Sequence, residues 1–411
     1  MLRFATQAKQ LSAIPCAAAA VSRSLPILMA KRNMATQVKK DNDVVHIDLP
    51  ADSFEGYMMD PPALSYDTEK SRLVKMYKDM NTIRRMEMSA DGLYKAKKIR
   101  GFCHMSTGQE AIAVGIENAI TKKDDIITSY RCHGFTYMRG ASVKEVMGEL
   151  MGKRCGVSYG KGGSMHMYGD HFYGGNGIVG AQVPLGTGLG FAHHYRGDKD
   201  CSFTLYGDGA ANQGQVFESF NMAKLWNLPV IFCCENNKYG MGTSTNRSSA
   251  MTDYYKRGQY IPGFKVNGMN ILATYQAAMF AKDWAASGKG PLVIEFETYR
   301  YAGHSMSDPG TSYRTREEVQ QVRSKRDPIA HLKDHMIDWN IATEKEIKGY
   351  DKEARRYVDS QVKEAEDSPF PEAKMDILFE DVYVPGSEVP VLRGRIKDDS
   401  WSFSKKGFAF K

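Results

Sequence analysis

From Glu69 onward, Leu73, Met76, Tyr77, Met80, Ile83, Met86, Ala90 and Tyr94 recur every three or four residues, a stripe that predicts one long amphipathic helix. The stripe reads as core. Further on the pattern alternates between short β-rich runs and helical periods. Asp124 to Tyr130, Ser202 to Tyr206, Leu228 to Phe232 and Pro291 to Glu297 read as strands. Gln215 to Asn227 has Val216, Phe217, Phe220, Ala223 and Trp226 at helical spacing, and Met269 to Ser287 reads as another helix. Thr343-Glu344-Lys345-Glu346 is a capping box opening a helix that stops before Pro369. Strands alternating with helices predict an α/β fold, a parallel sheet flanked by helices.

The unit from Ser202 to Tyr239 organises the rest. Its first strand ends in Gly207-Asp208-Gly209-Ala210 and its second leads to Asn236-Asn237-Lys238-Tyr239, with 26 residues between Gly209 and Asn236. Neighbouring parallel strands of a βαβ unit open on one crevice, so Asp208 and Asn237 can converge on one ligand. A carboxylate, an amide oxygen and a carbonyl such as that of Tyr239 are hard donors, few in number, which suits Mg²⁺ shared with phosphates. Gly207 and Gly209 let the backbone approach an anion closely. Alone, Gly-Asp-Gly is a tight turn; the pairing with Asn-Asn at this distance carries the signal.

Other stretches carry candidate chemistry. His104 lies in a loop that turns into a helix near Gly108, and Tyr130-Arg131-Cys132-His133 follows a strand, where an arginine can bond a phosphate through two donors. Gly156 to Gly180 is crowded with glycine interleaved with Met, His and Tyr, a close-packed loop rather than a linker. Gly186-Thr187-Gly188-Leu189-Gly190 invites a dinucleotide reading but does not come straight off a strand, and Phe191 stands where the last glycine is required. Close helix packing is the better account.

Composition adds the compartment. Of 411 residues 42% are apolar and 25% charged, ordinary for a globular protein with a sizeable core. The net charge of +7 equals the seven Lys and Arg of residues 1–40, a segment with no acidic residue, so the rest is neutral and offers no basic surface for nucleic acid. That segment reads as a mitochondrial presequence, and no run is long enough to span a membrane. Seven cysteines without C-x-x-C or zinc spacing read as reduced thiols. Residues 41–66 read as an extended arm, 67–370 as the main domain and 371–411 as an aromatic tail that docks.

These motifs resemble those of pyruvate dehydrogenase alpha subunits, in the thiamine diphosphate-dependent 2-oxo acid dehydrogenase family, from about Tyr66 to the C-terminus. The resemblance implies a thiamine diphosphate-binding fold and decarboxylation of pyruvate in the mitochondrial matrix, with acetyl transfer to lipoamide and acetyl-CoA as the product of the complex. It implies Mg²⁺ on Asp208, Asn237 and the Tyr239 carbonyl, and cofactor contacts from Tyr130, Arg131, Gly177, Val179, Gly209, Ala210 and His304. His104 would meet the keto acid, with His304 and His133 also catalytic. Ser305, Ser312 and Ser244 would accept phosphate from a regulatory kinase, removed by a phosphatase. Only the diphosphate-binding module is present, so a beta subunit would complete an α₂β₂ heterotetramer feeding a lipoyl acetyltransferase core. A branched-chain 2-oxo acid or acetoin dehydrogenase alpha subunit is the nearest alternative, and a non-catalytic structural subunit the alternative of another kind.

Overall fold

The computed structural model describes residues 43–374, 377, 380–381, 401–404 and 407–410. The presequence expected over 1–40 lies outside the described residues, as does most of the docking tail. In chain order, β1 (Val44–Asp48), β2 (Phe54–Tyr57) and β3 (Ser65–Glu69) precede α1 (Lys70–Lys95) and α2 (Glu110–Ala119). Then come β4 (Asp125–Ile127), α3 (His133–Met138), α4 (Val143–Leu150), α5 (Gln182–Arg196), β5 (Ser202–Gly207), α6 (Gly214–Leu225) and β6 (Val230–Asn236). The hairpin β7 (Tyr239–Gly240) and β8 (Thr243–Ser244) and the short α7 (Thr245–Ser248) lead to β9 (Gly263–Asn267), α8 (Ile271–Ala286) and β10 (Leu292–Glu297). Last are α9 (Arg316–Arg326), α10 (Pro328–Asp338), α11 (Glu344–Asp367) and the antiparallel pair β11 (Trp401–Ser404) and β12 (Gly407–Phe410).

The main sheet has the order β2-β9-β10-β6-β5-β4. All pairs are parallel except β2 with β9, so the sheet is mixed, with one antiparallel edge strand. Residues 41–66, expected to be an extended arm, therefore contribute an edge strand and, through β1 and β3, a separate antiparallel pair. Every residue of β6 is buried, as are the first five of β5, because helices cover both faces of the sheet. The α1 stripe is buried from Leu73 to Ala90, and α11 carries the expected capping box, Thr343 with Glu346. The glycines of α5 serve packing. A Cβ at Gly186 would lie 1.9 Å from Thr204 Oγ1, and one at Gly190 would lie 2.3 Å from Val230 Cγ2, so this helix can rest on β5 and β6 only with bare backbone there.

The strand expected from Asp124 to Tyr130 is shorter, and the one expected to end at Phe232 runs on to Asn236. The extension matters: it carries Glu235 and Asn236 into the sheet and leaves Asn237 as the first residue beyond it.

Candidate functional site

A cavity of about 250 Å³ opens at the carboxyl edge of the sheet. Its walls come from the ends of β4 (Tyr130, Arg131), β5 (Asp208, Gly209, Ala210) and β6 (Glu235, Asn237), from Val179, and from His304 beyond β10. Gly207 pairs with Glu235 in the parallel register, so Asp208 and Asn237 emerge from neighbouring strands side by side. They face one cavity. A Cβ on Gly240 would come within 3.2 Å of the Gly209 Cα, a measure of how closely the two loops approach.

Asp208 is 2% exposed, and its Oδ2 has no hydrogen-bond partner among the described residues. Burial pushes its carboxyl up to about 6, against the pull of backbone amides and of Arg300. A buried carboxylate oxygen without a partner is costly unless a cation meets it. The two asparagines divide the work. Asn236 donates to Glu295 at 2.7 Å and accepts from the Lys238 N–H at 3.1 Å, which shapes the turn. Asn237 lines the cavity, its Oδ1 3.4 Å from the Tyr239 N–H and its Nδ2 3.5 Å from Gln109. Lys238 and Met241 hold left-handed φ values of 72° and 57°, strain concentrated in the loop that turns around the site.

Three rings cluster on the other side: Tyr130 and His304 line the cavity, and His104, which does not, packs against both. The centroids of His104 and Tyr130 are 4.3 Å apart, those of His104 and His304 5.1 Å, and those of Tyr130 and His304 5.5 Å. Burial, with the Arg131 charge beside them, lowers His104 to about 2 and His304 to about 4, so both imidazoles are neutral near pH 7. Arg131 is buried and spends two donors on backbone: Nη1 on the Met105 carbonyl and Nη2 on that of His304, at 3.1 Å. Tyr301 N–H to Thr107 O and Met306 N–H to Cys103 O, both 2.9 Å, complete the join between the two histidine loops.

The remaining expectations fall in different places. His133 does not line the cavity; its ring sits between Glu87 at 3.0 Å and the Ser164 hydroxyl at 2.9 Å, in the core, with both ring nitrogens facing protein partners. Gly177 is set back, against the His166 ring, while Val179 reaches the wall. Ser305 is buried, its hydroxyl 2.9 Å from that of Ser307; Ser312 is exposed and Ser244 half-buried on β8. Gln109, Glu235 and Met241 line the cavity without having been singled out from the sequence. Burial raises the Glu235 carboxyl to about 7. A signal for it was present: on an extended strand, Glu235 and Asn237 share a face.

The chain belongs to the dehydrogenase E1 component family, whose match covers residues 78–374. Among curated relatives, it is 71% identical over 387 residues to the mitochondrial pyruvate dehydrogenase E1 component subunit alpha of Saccharomyces cerevisiae, covering 94% of this chain and 92% of that protein. Identity to the protein of the same name from Kluyveromyces lactis is 73% over 371 residues, 90% of each chain, and to the somatic form from Bos taurus 58% over 311 residues, 76% and 80% of the two chains.

Proposed function

We propose that this chain is the alpha half of a mitochondrial pyruvate dehydrogenase, decarboxylating pyruvate and passing the acetyl group to lipoamide in the matrix. The carrying observation is that Asp208, Asn237, Arg131 and His304 share one cavity at the carboxyl edge of a parallel sheet, with His104 packed against His304 beside it, in a chain so similar to named alpha subunits. Thiamine diphosphate, when bound, supplies a nucleophilic carbon and an electron sink for the carboxylate carbon's departure.

The residues present fit it and a metal. Asp208, Asn237 and the Tyr239 carbonyl are the hard oxygens that would hold Mg²⁺, and the partnerless Asp208 Oδ2 is the strongest support for a cation there. Tyr130, Arg131, Gly209 and Ala210 would bind the diphosphate, and Gly177 and Val179 the pyrimidine ring. His104 and His304, neutral and close together, can each accept or donate one hydrogen bond to the keto acid and hold a proton at a ring nitrogen.

The cofactor-completing half comes from a beta subunit, and the assembled α₂β₂ enzyme serves a lipoyl acetyltransferase core. Ser305 is the acceptor whose phosphate, roughly −1.5 to −2 in charge, would most oppose an anionic substrate. A kinase and a phosphatase acting on this loop belong to the same reading. The test is to mix the chain with its beta partner and titrate thiamine diphosphate and Mg²⁺ while measuring CO₂ release. Pyruvate is expected to turn over well above 3-methyl-2-oxobutanoate, with none from the lone chain; the reverse preference, or full turnover without beta, would overturn the proposal.

A further inference from the structure

His104 has a buried Nδ1 with no hydrogen-bond partner among the described residues, so its ring is oriented by the Tyr130 and His304 rings beside it and by the backbone beneath it. That backbone is tied to α1. Glu87 is fully buried on the apolar face of α1, near Ile83, Met86 and Ala90, where packing alone calls for another hydrocarbon. Its Oε1 instead accepts from both the N–H and the hydroxyl of Ser106, each at 2.9 Å, and its Oε2 faces His133 Nδ1 at 3.0 Å. The other nitrogen of His133 lies 2.9 Å from the Ser164 hydroxyl and 3.2 Å from the Ser164 carbonyl.

One carboxylate thereby joins the His104 loop to the start of α3, two residues past Arg131, and through the His133 ring to the glycine-rich loop. Burial alone would raise its pKa; the facing imidazole and the Ser106 donors outweigh that and keep it below the usual carboxylate value. One turn earlier on α1, Arg84 grips Glu110, whose Oε2 accepts from the Gly108 N–H at 3.0 Å, so the loop is held to side chains at Ser106 and again at Gly108.

We propose that Glu87 is a positioning residue: it fixes the 103–108 loop, and through it the angle at which His104 meets the 2-oxo acid. The inference rests on the reading of the cavity as the pyruvate site. The variants Glu87→Gln and Ser106→Ala, each assembled with the beta chain, test it. Glu87→Gln keeps the shape but alters the acceptor set; it should raise KM for pyruvate about tenfold, within the loss a displacement of roughly 1 Å can cause. Thiamine diphosphate affinity, read from tryptophan fluorescence with Mg²⁺ present, should stay within about twofold, the split expected when only substrate contacts are lost. Ser106→Ala removes one of three bonds and should raise KM by a smaller factor, which decides the matter if Glu87→Gln does not assemble. Amide hydrogen exchange over 103–108 should quicken in both variants while α1 is unchanged. Unaltered exchange there, or a cofactor affinity that falls in step with KM, would overturn the proposal. Exchange reports the clamp whatever the substrate, so a wild-type complex that ignores pyruvate would count against the functional reading alone.

Discussion

Asp208 and Asn237 each stand one residue past a buried parallel strand, whereas His104 and His304 lie in loops with no regular structure. The first pair is placed by the sheet itself: the β5–β6 register sets their separation, and α6 supplies the crossover. The second pair is placed by side chains distant in sequence. Glu87 reaches Ser106 across 19 positions, and Arg131 reaches Met105 across 26 and His304 across 173. One end of the cavity is thus built into secondary structure, and the other is built from buried polar ties. A site on strand ends tolerates little movement and needs little support, while a site on loops depends on every tie being intact.

The largest expected effect tests the strand-end half. Asp208→Asn keeps the shape but replaces a buried charged oxygen by a neutral amide, and Mg²⁺-dependent binding of thiamine diphosphate should fall well beyond the roughly 10–100-fold that an outer-shell change costs. Titration of the α–β complex with cofactor and metal measures it. Retained affinity would mean that the sheet places this carboxylate for some purpose other than a cation.

The loop half should break next, and unevenly. Ser305→Glu forces a carboxylate into a site only 6% exposed. An unpaired buried charge costs about several kcal/mol, enough to push the 301–306 loop away from Arg131 and remove most turnover. Ser312→Glu, on the exposed side of the same loop, should change stability by no more than about 0.5 kcal/mol and leave most activity. Equal losses from the two would show that charge near the site, rather than burial, governs this loop. A smaller effect is expected at Asn236, which turns the chain toward Asn237. Asn236→Ala frees the Lys238 N–H and leaves Glu295 short of a donor, so cofactor affinity should drop roughly tenfold, at the low end of outer-shell changes.

The same contrast explains what could be read from the sequence. The strand–turn–helix–strand unit was legible because its signals are local: β-rich runs, helical spacing and turn glycines within one stretch. Asp208 and Asn237 followed from it. The Glu87 tie was not legible, since a lone glutamate in an apolar stripe carries no local mark of its partners 19 and 46 positions away. His133 was misplaced for the same reason: its neighbours in sequence line the cavity, but the first turn of α3 points its ring into the core. The edge strand β2 also escaped, because Phe54-Glu55-Gly56-Tyr57 is too short to show alternation and gains its conformation from pairing with β9.

The smallest effect lies at the opposite edge of the sheet and separates stability from chemistry. His193, on α5, is buried between Asp125 at 3.0 Å and Asp198 at 2.8 Å, at the start of β4 rather than its cavity end. Burial lowers its pKa, but the two carboxylates outweigh burial and the net shift is upward from 6.5. A group whose pKa is higher folded than unfolded binds its proton more tightly in the fold, so its stabilisation is complete below pH 6.5 and is lost as pH rises through the folded value. Wild type should therefore lose thermal stability relative to His193→Gln as pH rises from about 6 to 8, the range in which a raised histidine deprotonates. Cofactor affinity at a fixed pH should be the same for both, because His193, Asp125 and Asp198 contribute nothing to the cavity's lining. If the variant changed affinity while its melting temperature kept the wild-type pH dependence, the sheet would be transmitting strain from one edge to the other, and the strand-end half of the cavity would not be the self-sufficient one.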